Sequence, residues 1–150
     1  MLAVLLGIAV AMVLSEVALR IYVSARGWTP NCYATGSSFF VPDSFSGNTL
    51  RPGLRLKSST YDVRVNQLGL RGPEITAGKP PGVTRVAVIG GSSVFGYMVP
   101  EGQDSCRLLE SLLDHSGQRV QVLNAGVPGF NITQCRHRYE HQIAALEPDV

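Results

Sequence analysis

The stretch Arg85–Gly96, with the sequence RVAVIGGSSVFG, constrains the fold of this chain more than any other. Its apolar residues 86–89 form an unbroken run, which is typical of a parallel strand buried on both faces. The run ends on two glycines, after which Ser92 and Ser93 offer hydroxyl groups. Because open α/β sheets bind ligands at the carboxyl ends of their strands, a small nucleophile in this turn indicates a ligand site.

Three familiar glycine-rich motifs do not fit this turn. A P-loop requires Lys and Ser or Thr where Tyr97 and Met98 stand, and a dinucleotide-binding turn requires glycine in place of Ser92. The nucleophile elbow G-x-S-x-G requires glycine in place of Val94. What remains is the pattern G-x-S-x-x-x-G directly after a strand. Without any chemistry, the same serine would simply cap the following helix.

The residues after the turn predict a parallel sheet. Asp104 is expected to cap a helix with a leucine stripe, and Gly117 to end it. A second strand is predicted over 120–123, a second helix capped by Thr133, and a third strand from Asp149. The order strand–helix–strand–helix–strand favours parallel strands with right-handed crossovers. The first helical stripe consists of Leu108, Leu109, Leu112 and Leu113, and the second of Tyr139, Ile143 and Leu146.

The N-terminal segment 1–25 is apolar. Residues 2–14 carry no polar side chain, and only Glu16 and Arg20 are charged before Val23. A helix of this length spans roughly 35 Å, which is enough to cross a bilayer. Because it has no polar face, the segment is predicted to be a transmembrane anchor or a signal segment rather than the buried helix of a soluble protein. We therefore expect a membrane-anchored, extracytoplasmic protein, secreted if the segment is cleaved.

Residues 26–82 change character, being dense in glycine, proline and serine but also containing aromatic residues. Aromatic residues are rare in disordered tracts, so this segment is expected to be irregular but packed. The stretches 54–56 and 61–65 alternate apolar and polar residues, which predicts two short half-buried strands that form a hairpin. Residues 66–72, NQLGLRG, are predicted to form a turn, in which Asn66 and Arg71 brace the segment against the sheet.

Charge and cysteine content exclude other classes of function. The net charge of +2, without a basic cluster, gives no indication of nucleic-acid binding. The cysteines match no zinc-site spacing, and His137 and His141 would need a third ligand, so neither a metal nor a cofactor is expected. The cysteines are Cys32, Cys106 and Cys135, and the histidines, all expected on polar helix faces, are His115, His137 and His141.

Two of these motifs together resemble the SGNH (GDSL) hydrolase superfamily of esterases, lipases, acyl-thioesterases and carbohydrate acetylesterases. The family's first block, GDSxxxG after a strand, is similar to residues 90–96, with Ser92 at the nucleophile position and Gly91 where Asp is usual. The second block, N-x-G-x-x-G, is similar to residues 124–129, with Gly129 at the position of a backbone oxyanion donor. The resemblance implies a three-layer α/β/α, flavodoxin-like domain, of which 83–150 would be an incomplete part. The segment 66–72 resembles membrane-anchored or exported members.

The resemblance also implies a reaction. Ser92 would hydrolyse an O-acyl ester, such as an acetyl ester, of carbohydrate or lipid through an acyl-serine, with the N–H groups of Ser92 and Gly129 as oxyanion donors. The catalytic His and Asp and a third oxyanion donor, an Asn, would follow Val150, so residues 1–150 alone are expected to be inactive. An O-acetyltransferase acting on a cell-surface polysaccharide would use the same serine. A non-catalytic envelope protein that retains the fold is the third possibility, which Gly91 favours.

Overall fold

The computed structural model describes residues 1–27, 39–57, 61–115, 117 and 119–150. The chain is a mixed α/β structure with a small parallel sheet and an N-terminal apolar helix. In chain order, the elements are α1 (Leu2–Ala25), β1 (Phe40–Asp43), β2 (Gly47–Leu50), β3 (Arg55–Lys57), β4 (Asp62–Arg64), β5 (Thr84–Val88), α2 (Ser92–Phe95), α3 (Ser105–His115), β6 (Val120–Asn124) and α4 (Ile132–Arg138). Helix α4 continues into a π turn (Tyr139–Ile143) and a 3₁₀ turn (Ala144–Leu146). Cys32 lies outside the described residues.

The predicted parallel sheet is present. Strands β5 and β6 pair in parallel, with Thr84 opposite Val120 and Val88 opposite Asn124. On the other edge of β5, the backbone N–H of Asp149 donates to Arg85 O at 2.7 Å, and that of Ala87 donates to Val150 O at 2.8 Å. Residues 149–150 therefore extend the hydrogen bonding on that side, as expected for the start of a third strand. Strand β5 lies between these two neighbours.

Burial of the sheet and of α3 differs from the sequence prediction. Residues 86–89 are half-buried rather than buried on both faces. In the leucine stripe of α3, Leu108, Leu109 and Leu112 are 53%, 38% and 71% exposed. An apolar face is buried only where another layer covers it, and the described residues place no such layer over these positions. The ends of α3 agree with the prediction, because Asp104 precedes it and Gly117 has the positive φ of +80° typical of a C-terminal glycine.

The segment before the sheet forms two antiparallel pairs. The pairing of β3 with β4 confirms the predicted strands, whereas the pairing of β1 with β2 was not predicted. Strand β1 contains Pro42 and the turn after it contains two serines, so its sequence lacks a clear alternating pattern. Both pairs pack against the two loops at the carboxyl end of the sheet. The shared core contains Phe39, Leu50, Leu56, Tyr61, Val63, Val65, Phe95 and Val127.

Asn131, not Thr133, caps helix α4. The Asn131 side chain accepts a hydrogen bond from Gln134 N at 3.0 Å, and the Gln134 side chain accepts one from Asn131 N at 3.1 Å. These reciprocal bonds form a capping box, which satisfies two backbone donors at once. The helix therefore begins earlier than predicted. Of its predicted apolar stripe, Ile143 and Leu146 are buried, whereas Tyr139 is 45% exposed.

Arg85 and Arg138 are buried and join distant segments through hydrogen bonds to main-chain and side-chain oxygens. Arg85 and Arg138 are 0% and 1% exposed. Burial lowers the pKa of Arg138 to about 10, although the negative charge of Asp43 opposes that shift. Arg85 donates to Thr76 O, Ala77 O, Leu146 O and Gln121 Oε1, and Arg138 donates to Gly69 O, Thr49 Oγ1 and Gln142 Oε1.

Helix α1 contains no buried residue, in contrast to the packed elements described above. It is long and apolar enough to cross a membrane, and its position near the N-terminus also fits a signal sequence. Glu16 and Arg20 share one face, as their spacing predicts, and form an exposed ion pair of 2.7 Å. The apolar helix is therefore a candidate for a membrane anchor or a signal segment.

Candidate active site

The turn after β5 presents Ser92 at the carboxyl end of the strand. Ser92 is the first residue of the short helix α2, and Gly91 precedes it as the N-cap. Gly96 ends α2 in a left-handed conformation, with a φ of +74°, and its N–H donates to the carbonyl oxygens of Ser92 and Ser93. Both serines are exposed, and no described side chain hydrogen-bonds to either hydroxyl. The hydroxyl of Ser92 is therefore accessible to a ligand.

The second motif packs directly against the first. Ala125 N donates to Val88 O and Val127 N donates to Gly90 O, each at 2.9 Å, so the loop after β6 follows the end of β5. A Cβ atom on Gly126 would lie only 2.3 Å from Phe95 N. No side chain fits at that distance from a backbone atom. The glycine of the second motif is therefore required by its contact with α2, which carries the serine of the first.

Gly129 lies in the same loop, at the same end of the sheet. It is exposed and has a φ of +86°, a conformation that disfavours any residue with a side chain. Its backbone N–H donates to no described residue. Next to Gly129, Phe130 O would lie 3.3 Å from a Cβ atom on Gly91. The loops that carry Ser92 and Gly129 are therefore neighbours, and a side chain at position 91 would press against Phe130 O.

Arg71 lies before α2 in the chain, and its side chain anchors the C-terminal end of that helix. Its side chain is fully enclosed, with the residue 1% exposed, and its guanidinium carbon lies 5.1 Å from the centre of the Phe95 ring. The guanidinium is a rigid fork of donors, which suits several carbonyl oxygens at once. Its four acceptors, at 2.5 to 3.1 Å, are the main-chain oxygens of Phe95, Gly96, Val99 and Pro100.

Asp104 and Asn124 complete this buried network. Asp104 Oδ2 lies 3.7 Å from Arg71 Nε, and Asn124 Nδ2 donates to Asp104 Oδ1 at 2.9 Å and to Val94 O at 3.0 Å. Asn124 Oδ1 accepts from Gly126 N at 3.1 Å, so the same side chain also holds the second motif. Asp104 is therefore more than the helix cap that the sequence predicted. The network joins four separate segments around the serine turn.

The turn 66–72 positions Arg71 within this network. Asn66 Oδ1 accepts from Leu68 N and Leu70 N at 3.0 Å each, and Asn66 Nδ2 donates to Pro73 O at 2.9 Å. Arg71 N then donates to Asn124 O at 3.1 Å, which bridges the turn to the edge of β6. The geometry agrees with the predicted bracing role of Asn66 and Arg71. What the sequence did not reveal is that Arg71 reaches the serine turn itself.

A cavity of about 190 Å³ lies beside the outer edge of β6, away from the exposed serine. Its walls come from the segment 70–75, from α3 and from β6, and Ser92 does not line it. At this edge, Arg107 donates to Val122 O and Glu110 accepts from Val122 N. These side chains satisfy backbone groups that an unpaired strand would leave free. The cavity therefore lies at the edge of the sheet, and its wall includes Arg71 and Asn124, which also hold the serine turn.

Other nucleophiles and bases lie elsewhere. Burial, reinforced by the charge of Asp104, raises the pKa of the Cys106 thiol to about 11, so this thiol is protonated near neutral pH. His137 is half-buried and His141 is exposed, in agreement with the predicted surface location. Glu140 lies between them in sequence and adds a third potential metal ligand, which the spacing H-x-x-E-H could have revealed. The side chain of His115 lies outside the described residues.

Neither the family models nor the curated proteins compared with this chain give a match. The geometry around Ser92 consists of an exposed serine at the carboxyl end of a parallel strand, a second loop packed on its helix, and a buried network that anchors both.

Proposed function

We propose that this chain carries the nucleophile turn of an SGNH-type serine esterase that acts on an O-acyl ester of carbohydrate or lipid. The observation that carries the proposal is the junction of the two sequence motifs, where Gly126 packs directly on the helix that begins with Ser92. Two motifs that resemble one family at separate points of the sequence are in contact here. The proposed domain is a three-layer, flavodoxin-like fold with β5 between its neighbouring strands.

In the proposed reaction, Ser92 Oγ attacks the ester carbonyl carbon while a general base takes the hydroxyl proton. The tetrahedral oxyanion accepts hydrogen bonds from the N–H groups of Ser92 and Gly129. Collapse breaks the ester bond, and the leaving alcohol takes the proton back, which leaves an acyl-serine. Water then attacks the acyl-serine, releases the carboxylic acid and restores Ser92. A backbone oxyanion donor typically lowers such a barrier by about 3–4 kcal/mol.

The anchoring of α2 supports this role, because oxyanion donors are effective only when they are held in place before the reaction. Arg71 and Asn124 fix the carbonyl groups at the end of α2, and Gly126 fixes its side. The left-handed backbone at Gly129 leaves the loop free of a side chain where a substrate would approach. Contacts from Arg71, Asn124 and Gly126 therefore hold the serine turn.

The proposed location is the extracytoplasmic side of a membrane, with α1 as anchor or as cleaved signal. The support is α1 itself, an apolar helix of 24 residues with none buried. An enzyme placed there would meet ester groups of lipids and of cell-surface polysaccharides. Whether water or a sugar hydroxyl attacks the acyl-serine decides between esterase and O-acetyltransferase, and the same serine serves both.

Fluorophosphonate labelling of the full-length protein, expressed from its complete coding sequence, tests the proposal. We expect covalent labelling of Ser92, which peptide mass spectrometry would locate, and loss of labelling in Ser92→Ala. Ser93→Ala is the matched control and should keep the label, because Ser93 is exposed like Ser92 but does not stand at the nucleophile position. Labelling at Ser93, or none in the full-length protein, would overturn the proposal and favour a non-catalytic envelope protein. Residues 1–150 alone are expected to show no ester turnover, since no described base contacts Ser92.

A further inference from the structure

A second cluster of chemically active side chains lies on α4 and its π turn. One ligand atom from each of His137, Glu140 and His141 lies within 4.8 Å of the others. His137 Nδ1 is 3.9 Å from Glu140 Oε2, and the rings of His137 and His141 are nearly parallel with their centres 6.2 Å apart. Glu140 and His141 follow His137 by three and four positions, so each of them shares a helix face with His137.

The ring of His141 is held in place by the β1–β2 turn. The Phe45 ring stacks on it, with ring centres 3.7 Å apart and an angle of 12° between the planes. Asp43 orders that turn, because its carboxylate accepts from Phe45 N at 3.1 Å and from Ser46 N at 2.8 Å. Gln142, next to His141, donates to the same carboxylate at 3.2 Å. The orientation of His141 is therefore fixed by contacts outside its own helix.

We propose that His137, Glu140 and His141 bind one divalent transition-metal ion, such as Zn²⁺. Two imidazoles and one carboxylate are ligands that Zn²⁺ accepts, whereas Mg²⁺ and Ca²⁺ prefer oxygen ligands only. Ligands of a tetrahedral zinc ion with bonds of about 2.1 Å lie about 3.4 Å apart. The ligand atoms here lie within 4.8 Å of one another, so a bound ion would draw them closer together, and the fourth position is left for water. This site is independent of the proposed esterase.

Charges around the cluster permit the binding. Arg136 Nε lies 3.1 Å from Glu140 Oε1, but the two side chains are 71% and 43% exposed, so this ion pair is weak and can open. Glu140 supplies a carboxylate whose negative charge attracts a divalent cation. A bound ion would link α4 to the π turn at the point where the β1–β2 turn docks. The chain would thereby gain a cross-link next to Phe45.

Cobalt titration of the metal-free full-length protein tests the site. The protein would carry no tag and would have Cys32→Ser and Cys135→Ser, so that these thiols cannot bind the metal. We expect saturation at one Co²⁺ per chain, visible absorption typical of four-coordinate Co²⁺, and displacement by one Zn²⁺. His137→Ala, Glu140→Gln and His141→Ala should each weaken binding by at least about tenfold. His115→Ala, on α3, is the matched control and should bind as the parent does.

Each of the other outcomes would contradict the site. The absence of saturable binding would overturn it, as would binding that survives His137→Ala and His141→Ala or is lost in His115→Ala. Circular dichroism of each variant would exclude unfolding, which we do not expect because Glu140 and His141 are exposed. Since Ser92 takes no part in this site, loss of metal binding and loss of fluorophosphonate labelling are separate results.

Discussion

Helix α1 and the serine turn represent two opposite ways in which this chain acquires structure. Helix α1 has 24 residues, none of them buried, so its conformation follows from its own apolar composition. The serine turn over 90–96 is held by side chains and backbone from the segments around Arg71, Asp104 and Asn124. A local sequence is enough for the first, whereas the second exists only when distant parts of the chain have assembled.

The two regions also differ in what an ion pair contributes. Arg20 and Glu16 are 2.7 Å apart but exposed, whereas Arg71 and Asp104 are 3.7 Å apart with side chains 0% and 1% exposed. An exposed pair contributes about 0–1 kcal/mol, because water screens it. Breaking a buried pair costs about 3–5 kcal/mol, because the remaining charge loses its partner. The Arg71–Asp104 pair therefore contributes more to stability, although its two charged atoms are farther apart.

The buried thiol of Cys106 can be used to measure the stability of the packed region, meaning the serine turn and the segments that hold it. Its residue is 1% exposed, and burial together with the charge of Asp104 raises the pKa of its thiol to about 11. The thiol should react with a maleimide only after this region unfolds. Urea unfolding in mild detergent, followed by thiol labelling with Cys32→Ser and Cys135→Ser as background, therefore measures the free energy of unfolding around the serine turn.

The largest expected effect is that of Arg71→Met. It leaves Asp104 buried without its cation and removes the donors to four carbonyl oxygens, so we expect the free energy of unfolding to fall by about 3–5 kcal/mol. The matched change in α1, Arg20→Met, should change it by less than about 0.5 kcal/mol. Equal effects from the two substitutions would contradict the contrast between the regions.

A smaller difference is expected from one pair of glycine substitutions. Gly126→Ala places a Cβ atom 2.3 Å from Phe95 N, and such overpacking typically costs about 1–3 kcal/mol. Gly7→Ala in α1 meets no atom within 4 Å and should stabilise its own helix by about 0.5–1 kcal/mol. The same urea titration measures the loss of stability caused by Gly126→Ala, and circular dichroism measures the helicity of α1 in Gly7→Ala. If Gly126→Ala left the free energy of unfolding unchanged, the packing of the two motifs would not depend on this contact.

The smallest change in the free energy of unfolding is expected on acidification, through Asp43 in the β1–β2 turn. Burial raises the pKa of Asp43, but hydrogen bonds from Ser46, Phe45 and Gln142 outweigh it, so that the pKa lies below the ordinary 3.8. The folded state therefore binds this proton less readily than the unfolded state does. The stabilisation is present above about pH 3.8 and is lost as the pH falls through the lowered value. Unfolding at pH 2 to 6, compared with Asp43→Asn, checks this; an unchanged pH profile in Asp43→Asn would contradict it.

The elements that were predicted correctly carry strong local signals. The apolar run before the serine turn and the run at 120–123 predicted parallel strands, and Asp104 and Gly117 predicted the ends of α3. The alternation in 61–65 predicted β4. By contrast, Asn131 caps α4 in place of Thr133, because the capping box needs Gln134 three positions later, which is a local signal in the sequence.

The sequence by itself determined the apolar helix α1, the alternation of strands and longer helices from β5 to α4, and the serine directly after β5, since each follows from composition or from neighbours in the chain. Only the tertiary structure decided that Arg71 would hold the serine turn, that Gly126 would touch Phe95, and that Phe45 would orient His141. These contacts join residues 24 to 96 positions apart. Periodicity and caps report only on neighbours within a turn or two, so contacts across such separations leave no local pattern to read.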